Sequence, residues 1–238
     1  MVEGSDSRLA IALDVNNLDL ACGLADAVRP SMGVAKVGLE LFAAVGPQAV
    51  TAMTQRGFEV FLDLKLHDIP TTVGRAAAQV GRTAIRWLTL HTSGGVDMLR
   101  AGVEGLSEAS HGRAQVLGVT ILTSEVDRSR GLLQERVGLA RDAGCGGIIC
   151  AASDIADAKE VAPDLALVVP GIRLAGAAHH DQVSVTTPER AIEAGACMLV
   201  VGRTVTASIQ GLSPGSSQLS QALRNVAEVA ALLAACIR

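Results

Sequence analysis

Residues 59–82 read EVFLDLKLHDIPTTVGRAAAQVGR. The first part, EVFLDLK (59–65), is a short run of apolar and β-favouring side chains, which predicts a strand. Pro70 ends the extended run, because proline has no N–H to give to a sheet. TTVGRAAAQVGR (71–82) is Ala-rich and amphipathic, which predicts a helix. Strand, turn and helix together form the repeating unit of a parallel sheet. Within the strand, Asp63 and Lys65 stand two apart and so share one face. Asp68 follows just beyond. Three charges in an otherwise apolar segment call for an explanation.

The same unit recurs on both sides. The other strand candidates are LAIALDV (9–15), VAKVGLE (34–40), WLTLHT (87–92), QVLGVTIL (115–122), GGIICA (146–151), LALVVPG (165–171) and CMLVVGR (197–203). Helix candidates between them include residues 18–28, 47–57, 129–144 and 187–196, and a last helix is expected at about 217–236. Gly57, Gly144 and Gly195 fall where helix C-caps are needed. Eight strands, each followed by a helix, predict an α/β fold of the (β/α)₈ TIM-barrel type, with residues 1–238 as a single domain. The alternative, a doubly wound open sheet, lacks support: no GxGxxG follows the first strand.

Composition narrows the function classes. With 49% hydrophobic and 18% charged residues the chain is globular. A net charge of −4 argues against general nucleic-acid binding. The N-terminal MVEGSDS has no basic and apolar leader, and no uncharged apolar run reaches membrane-spanning length. Five scattered cysteines without a CxxC pair read as buried apolar groups in a reducing cytoplasm. Only three lysines, Lys36, Lys65 and Lys159, stand against seventeen arginines. Lys36 and Lys65 lie inside strand-like runs. Only lysine of the two cations readily gives up a proton, which points to chemistry.

In a barrel of this type the active site lies at the C-terminal ends of the strands. Asp14, Lys36, Asp63, Lys65 and His91 fall there, with Thr120 and Thr123 at the fifth strand. Singly, each has a plainer reading. Asp14 could cap the next helix, Lys36 could snorkel from the rim, Asp63 and Lys65 could be a structural pair, and His91 could be a core histidine. His179-His180 lacks a third ligand at metal spacing and reads as a solvated loop. Jointly, four charges on one rim favour a site. The loops after strands seven and eight carry Gly171, Arg173, Gly202 and Arg203. Glycine lets the backbone approach a ligand and arginine grips phosphate bidentately, so a phosphorylated substrate is expected.

DLKLHDIPTT (63–72) resembles the DxKxxDIPxT motif of the orotidine 5′-monophosphate decarboxylase family. ALD (12–14), Lys36 followed by Gly38, HTSGG (91–95), VTILTS (119–124), PGIR (170–173) with Gln182 nine residues on, and VGR (201–203) match family positions in the same order. The resemblance spans nearly the whole chain. The DxKxxD core is shared with sister barrels, including 3-keto-gulonate-phosphate decarboxylase and hexulose-phosphate synthase. The IP after Asp68 and the PGIR…Q and GR segments favour the orotidylate enzymes.

The resemblance implies decarboxylation of orotidine 5′-monophosphate to UMP without cofactor or metal, at the last step of UMP synthesis. Lys65 would protonate C6, held by Asp63 and Asp68, and Lys36 would complete an alternating charge array. Asp68 and Thr72 would enter from the other subunit of a homodimer with shared sites. Asp14 and Lys36 would contact the ribose and Thr123 the pyrimidine. Arg173, Gln182, Gly202 and Arg203 would bind phosphate, with 173–182 as a lid. His-His-Asp before Gln182 and Thr204 after VGR depart from the usual family pattern.

Two other readings stand beside it. A sister enzyme would act on a sugar phosphate with Mg²⁺, and Glu40 is its candidate ligand. A non-catalytic nucleotide-phosphate-binding barrel would not need the set Lys36, Asp63, Lys65 and Asp68.

Overall fold

Strands buried on both faces must be apolar on both, and these strand sequences are. In the computed structural model, which describes residues 5–122, 125–174 and 186–237, eight parallel strands close in chain order into a barrel. They are β1 (Asp6–Ala12), β2 (Met32–Gly38), β3 (Glu59–Leu66), β4 (Ile85–His91), β5 (Gln115–Val119), β6 (Gly147–Ile149), β7 (Ala166–Val169) and β8 (Met198–Val201). Pairing of β1 with β8 completes the ring. The TIM barrel expected from the sequence is the fold observed.

Helices flank the ring: α1 (Leu18–Val28), α2 (Leu39–Val45), α3 (Gln48–Gln55), α4 (Pro70–Gly81), α5 (Gly95–Ser110), α6 (Arg130–Asp142), α7 (Ile155–Val161), α8 (Pro188–Ala194), α9 (Arg203–Thr206) and α10 (Leu219–Cys236). Pro70 is the first residue of α4, where its missing N–H matters least. Gly57, Gly144 and Gly195 all have the positive φ that their cap positions demand. Asn17 caps α1, its side chain accepting the Leu20 N–H at 3.1 Å.

Two cores result. Ala10, Ala12, Val34, Phe61, Leu117, Val168, Met198 and Val200 fill the inside of the barrel. The opposite strand faces, with Leu9, Ile11, Val37, Leu62, Leu88 and Leu90 among them, pack against the helices. Strand alternation thus sorts one sequence into an inner and an outer layer.

The C-terminal strand ends differ from the sequence reading by one to three residues throughout, and two differences change the picture most. β1 ends at Ala12, not at residue 15, so Asp14 lies on the loop after the strand. The segment after β2 forms a further helix, α2, before α3.

Helices α4 and α5 approach closely because glycines meet where they cross. A Cβ on Gly105 would run into the Gly74 carbonyl oxygen, which is backbone and cannot swing aside. Gly105→Ala should therefore destabilise the fold by about 1–3 kcal/mol, the usual range for overpacking. Urea unfolding would read this as a lower midpoint, and an unchanged midpoint would refute the close-approach argument.

Candidate active site

The inner-facing register that builds the barrel core also builds the site. On β2, Val34 belongs to the inner cluster, and Lys36 follows two residues on. On β3, Phe61 is succeeded in the same way by Asp63. On β4, Trp87 packs on the inner cluster and Thr89 and His91 continue its face. The apolar floor thus gives way to a polar layer at the C-terminal mouth.

Lys65 reaches this layer by a different route from the regular pleat expected of it. Phe61 pairs with Trp87 and Leu62 with Leu88, but the next match is Leu66 with Leu90. The extra residues bulge out of β3, as strands commonly do beside active sites. Lys65 itself has φ +50°, in the left-handed region that side chains other than glycine, asparagine and aspartate rarely enter. Its N–H donates to the Thr89 hydroxyl at 2.9 Å. That hydroxyl donates to Asp63 Oδ1 at 2.9 Å.

The side chains form an alternating chain of charge. Lys36 Nζ lies 3.1 Å from Asp14 Oδ1 and 3.4 Å from Asp63 Oδ2. Lys65 Nζ lies 2.7 Å from the same Asp63 oxygen. Lys36 and Asp63 are buried, whereas Asp14 reaches into solvent with 58% of its side chain exposed. Asp14 therefore does not cap a helix; it closes the outer end of the array. Gly38 leaves the room this needs, since a Cβ there would stand 3.0 Å from Asp14 Oδ1 and 3.2 Å from Lys36 Nζ.

Burial alone would neutralise such groups. Burial pushes the Asp63 carboxyl up, but Lys36, Lys65 and the hydrogen bonds from Lys65 and Thr89 outweigh it and hold it below the ordinary 3.8. Burial pulls Lys36 down, but Asp14 and Asp63 outweigh that and hold it above the ordinary 10.5. The signs give the pH window. The stabilisation from Asp63 is complete above its unfolded value and is lost as pH falls through its lower folded value. That from Lys36 is complete below its unfolded value and is lost as pH rises through its higher folded value. Both stay charged throughout the neutral range, so kcat should be level between about pH 5 and 9. A pH–kcat profile with a step near neutrality would contradict this assignment of charges.

The array forms one wall of a cavity of about 260 Å³. Val119, Ile121 and Ile149 give it an apolar side, and Gly171, Arg173, Gly202 and Arg203 line the far end. Gly171 has φ +80°, a conformation suited to glycine. Arg173 Nη1 donates to the Thr204 hydroxyl at 3.0 Å and to the Ile172 carbonyl at 2.8 Å. Thr204, unusual by sequence, thus ties the loop after β7 to the first turn of α9. Burial and the nearby Arg203 pull Arg173 below the ordinary arginine range. Two neighbouring guanidiniums at one end of a cavity suit an anion with several oxygens.

A family model described as "Orotidine 5'-phosphate decarboxylase / HUMPS family" matches residues 7–211. The chain belongs to this family. It is 43% identical over 211 residues to the orotidine 5′-phosphate decarboxylase of Thermobifida fusca (strain YX), covering 83% of this chain and 88% of the relative. It is 44% identical over 208 residues to that of Anaeromyxobacter sp. (strain K), covering 82% and 89%. Among solved structures, that of orotidine 5′-phosphate decarboxylase from Lactobacillus acidophilus superposes with a TM-score of 0.72 at 28% identity, covering 94% of this chain and 99% of the other.

Of the residues expected from the orotidylate family's motifs, Asp14, Lys36, Asp63, Lys65, Arg173, Gly202 and Arg203 line the one cavity. Asp68 and Thr72 do not line it; both are exposed on this chain. Asp68 accepts the Ile69 N–H at 2.7 Å. Thr123, Gln182 and the pair His179-His180 lie outside the described residues. His91 is half-buried, its ring 5.6 Å from that of His67, and burial, His67 and Lys65 push it below 6.5. It does not line the cavity. Thr120 donates to the Ile149 carbonyl at 2.8 Å and braces the barrel. Cys150 lines the cavity, but burial pushes its thiol up to about 12, so it remains protonated and apolar in character. Sequence reasoning missed Thr89. A threonine in a β-strand is ordinary, and only the bulge gives this one two special partners.

Proposed function

We propose that this chain decarboxylates orotidine 5′-monophosphate to UMP, as a carboxy-lyase in pyrimidine biosynthesis, and that its charge array carries out the chemistry without a cofactor. The observation that carries this reading is the alternating sequence Asp14–Lys36–Asp63–Lys65, with Lys36 and Asp63 buried, on the wall of a cavity that ends in two arginines. Loss of CO₂ leaves an electron pair at C6 in the plane of the pyrimidine, where the ring π system takes it up poorly. Fixed positive charge beside C6 stabilises that pair, because the charges are already oriented when it forms. The Lys65 ammonium then gives a proton to C6, and the C6–H bond replaces the C6–carboxylate bond.

Asp63 holds Lys65, and Asp14 with Lys36 takes the ribose hydroxyls. Thr123 meets the pyrimidine. Arg173, Gln182, Gly202 and Arg203 take the phosphate, with residues 173–182 as a lid. Asp68 and Thr72 complete the site of a second copy, so that the enzyme is a homodimer with shared sites. Supporting this, both lie exposed beside Ile69, which is 66% exposed and apolar. Among the described residues no helix is long and apolar enough to cross a membrane. A cytoplasmic setting suits the five cysteines, all free.

The Mg²⁺-dependent sugar-phosphate reading has less support. Glu40, its candidate ligand, is exposed on the first turn of α2 and does not line the cavity. The test is the ultraviolet absorbance of orotidine 5′-monophosphate with purified protein. The expected result is conversion to the UMP spectrum. An unchanged spectrum would overturn the proposal in favour of a sugar-phosphate enzyme or a binding protein.

A further inference from the structure

Thr89 is fully buried on β4, one layer below the cavity mouth. Its hydroxyl has one hydrogen, and that hydrogen goes to Asp63 Oδ1. A lone pair of the same oxygen receives the Lys65 N–H. The two bonds act on two adjacent groups of the array, Asp63 and Lys65, at once. With Oδ1 engaged, Asp63 cannot rotate freely, and Oδ2 is left to face Lys36 at 3.4 Å and Lys65 at 2.7 Å. The β-bulge lifts the Lys65 N–H out of the regular β3–β4 ladder, and the Thr89 hydroxyl gives it a partner.

We propose that Thr89 is a positioning residue for the decarboxylation, one hydroxyl that holds the Lys65 backbone in its left-handed conformation and fixes the Asp63 carboxylate. This rests on the reading of Lys65 and Asp63 given under Proposed function. The physical reason is that a left-handed non-glycine residue persists only where its surroundings enforce it. Here the backbone of that residue is tied by the hydrogen bond from its own N–H to Thr89, beside the contact of its ammonium with Asp63. Without that bond the backbone can return towards ordinary extended φ, and the ammonium leaves its place beside Asp63. A displacement of about 1 Å in a reacting group is enough for a roughly 100-fold loss of rate. Substrate affinity depends on different groups, Arg173 and Arg203 at the far end and Asp14 at the rim.

Three proteins test this: wild type, Thr89→Val, which keeps the shape and removes the hydroxyl, and Thr89→Ser, which keeps the hydroxyl. For Thr89→Val, kcat should fall about 100-fold, while KM and the Kd for UMP stay within about twofold. For Thr89→Ser, kcat should return to within a few-fold of wild type. A purely structural role would lower the melting temperature and reduce kcat only in step with the folded fraction, with serine no better than valine. Either that pattern or full kcat in Thr89→Val would overturn the proposal. If Thr89→Val does not fold, Thr89→Cys, a weak donor of similar size, takes its place and should show the same loss of kcat against Thr89→Ser. Wild type without turnover would overturn this proposal and the functional reading together. An active wild type beside an equally active Thr89→Val would overturn this one alone.

Discussion

Lys65→Ala should lower kcat for orotidine 5′-monophosphate by about 10⁴-fold or more, while the Kd for UMP changes little. Two contributions are lost together. A preorganised charge aimed at the developing carbanion is worth about 10²–10³ in rate, and a positioned proton donor about 10²–10⁴. They reside in one ammonium, so one substitution removes both, and even the low ends of the two ranges together give about 10⁴. The fold should survive, because Asp63 keeps Lys36 at 3.4 Å and the Thr89 hydroxyl at 2.9 Å and is not left as a lone buried charge. Steady-state kinetics with a thermal melt of the same sample would check this. A Lys65→Ala enzyme within tenfold of wild type would remove Lys65 from the chemistry.

Mixing two inactive variants should restore activity. Asp68→Ala is expected to lose about 10²-fold or more, as when one transition-state contact is removed. After subunit exchange between Lys65→Ala and Asp68→Ala proteins, half of the dimers are hybrids. Each hybrid has one site with both defects and one with neither, so about a quarter of wild-type activity returns if sites are shared. The exposure of Asp68 and Thr72 on the single chain, away from the cavity that holds the other charges, motivates the experiment. A mixture that stays inactive would place Asp68 outside the site or within its own subunit.

Much of this site could be read from the sequence because the barrel converts strand periodicity into position. Apolar alternation on β2 and β3 already aimed Lys36 and Asp63 at the inside, and strand polarity aimed them at the mouth. The paired glycine-arginine ends of strands seven and eight converge on one cavity wall for the same reason. Three features were not legible. The end of β1 came earlier than expected, since Leu13 is as apolar as the strand before it and hides the boundary. The bulge at Lys65 leaves no trace in hydrophobic pattern, and a regular pleat would have placed Lys65 on the same face by a different route. Thr89 carries no signal alone; its role appears only once Asp63 and the Lys65 N–H are in place around it. Asp68 and Thr72 show the limit of a single chain, since the resemblance assigns them to a site that one copy does not assemble.

The most direct measurement is release of labelled CO₂ from carboxyl-labelled orotidine 5′-monophosphate by wild-type protein dialysed against EDTA, with UMP measured in the same tube. Equal amounts of CO₂ and UMP, at a rate that added Mg²⁺ does not change, are expected of an array of lysines and aspartates acting alone. Tight binding without release, or release that returns only with Mg²⁺, would contradict it.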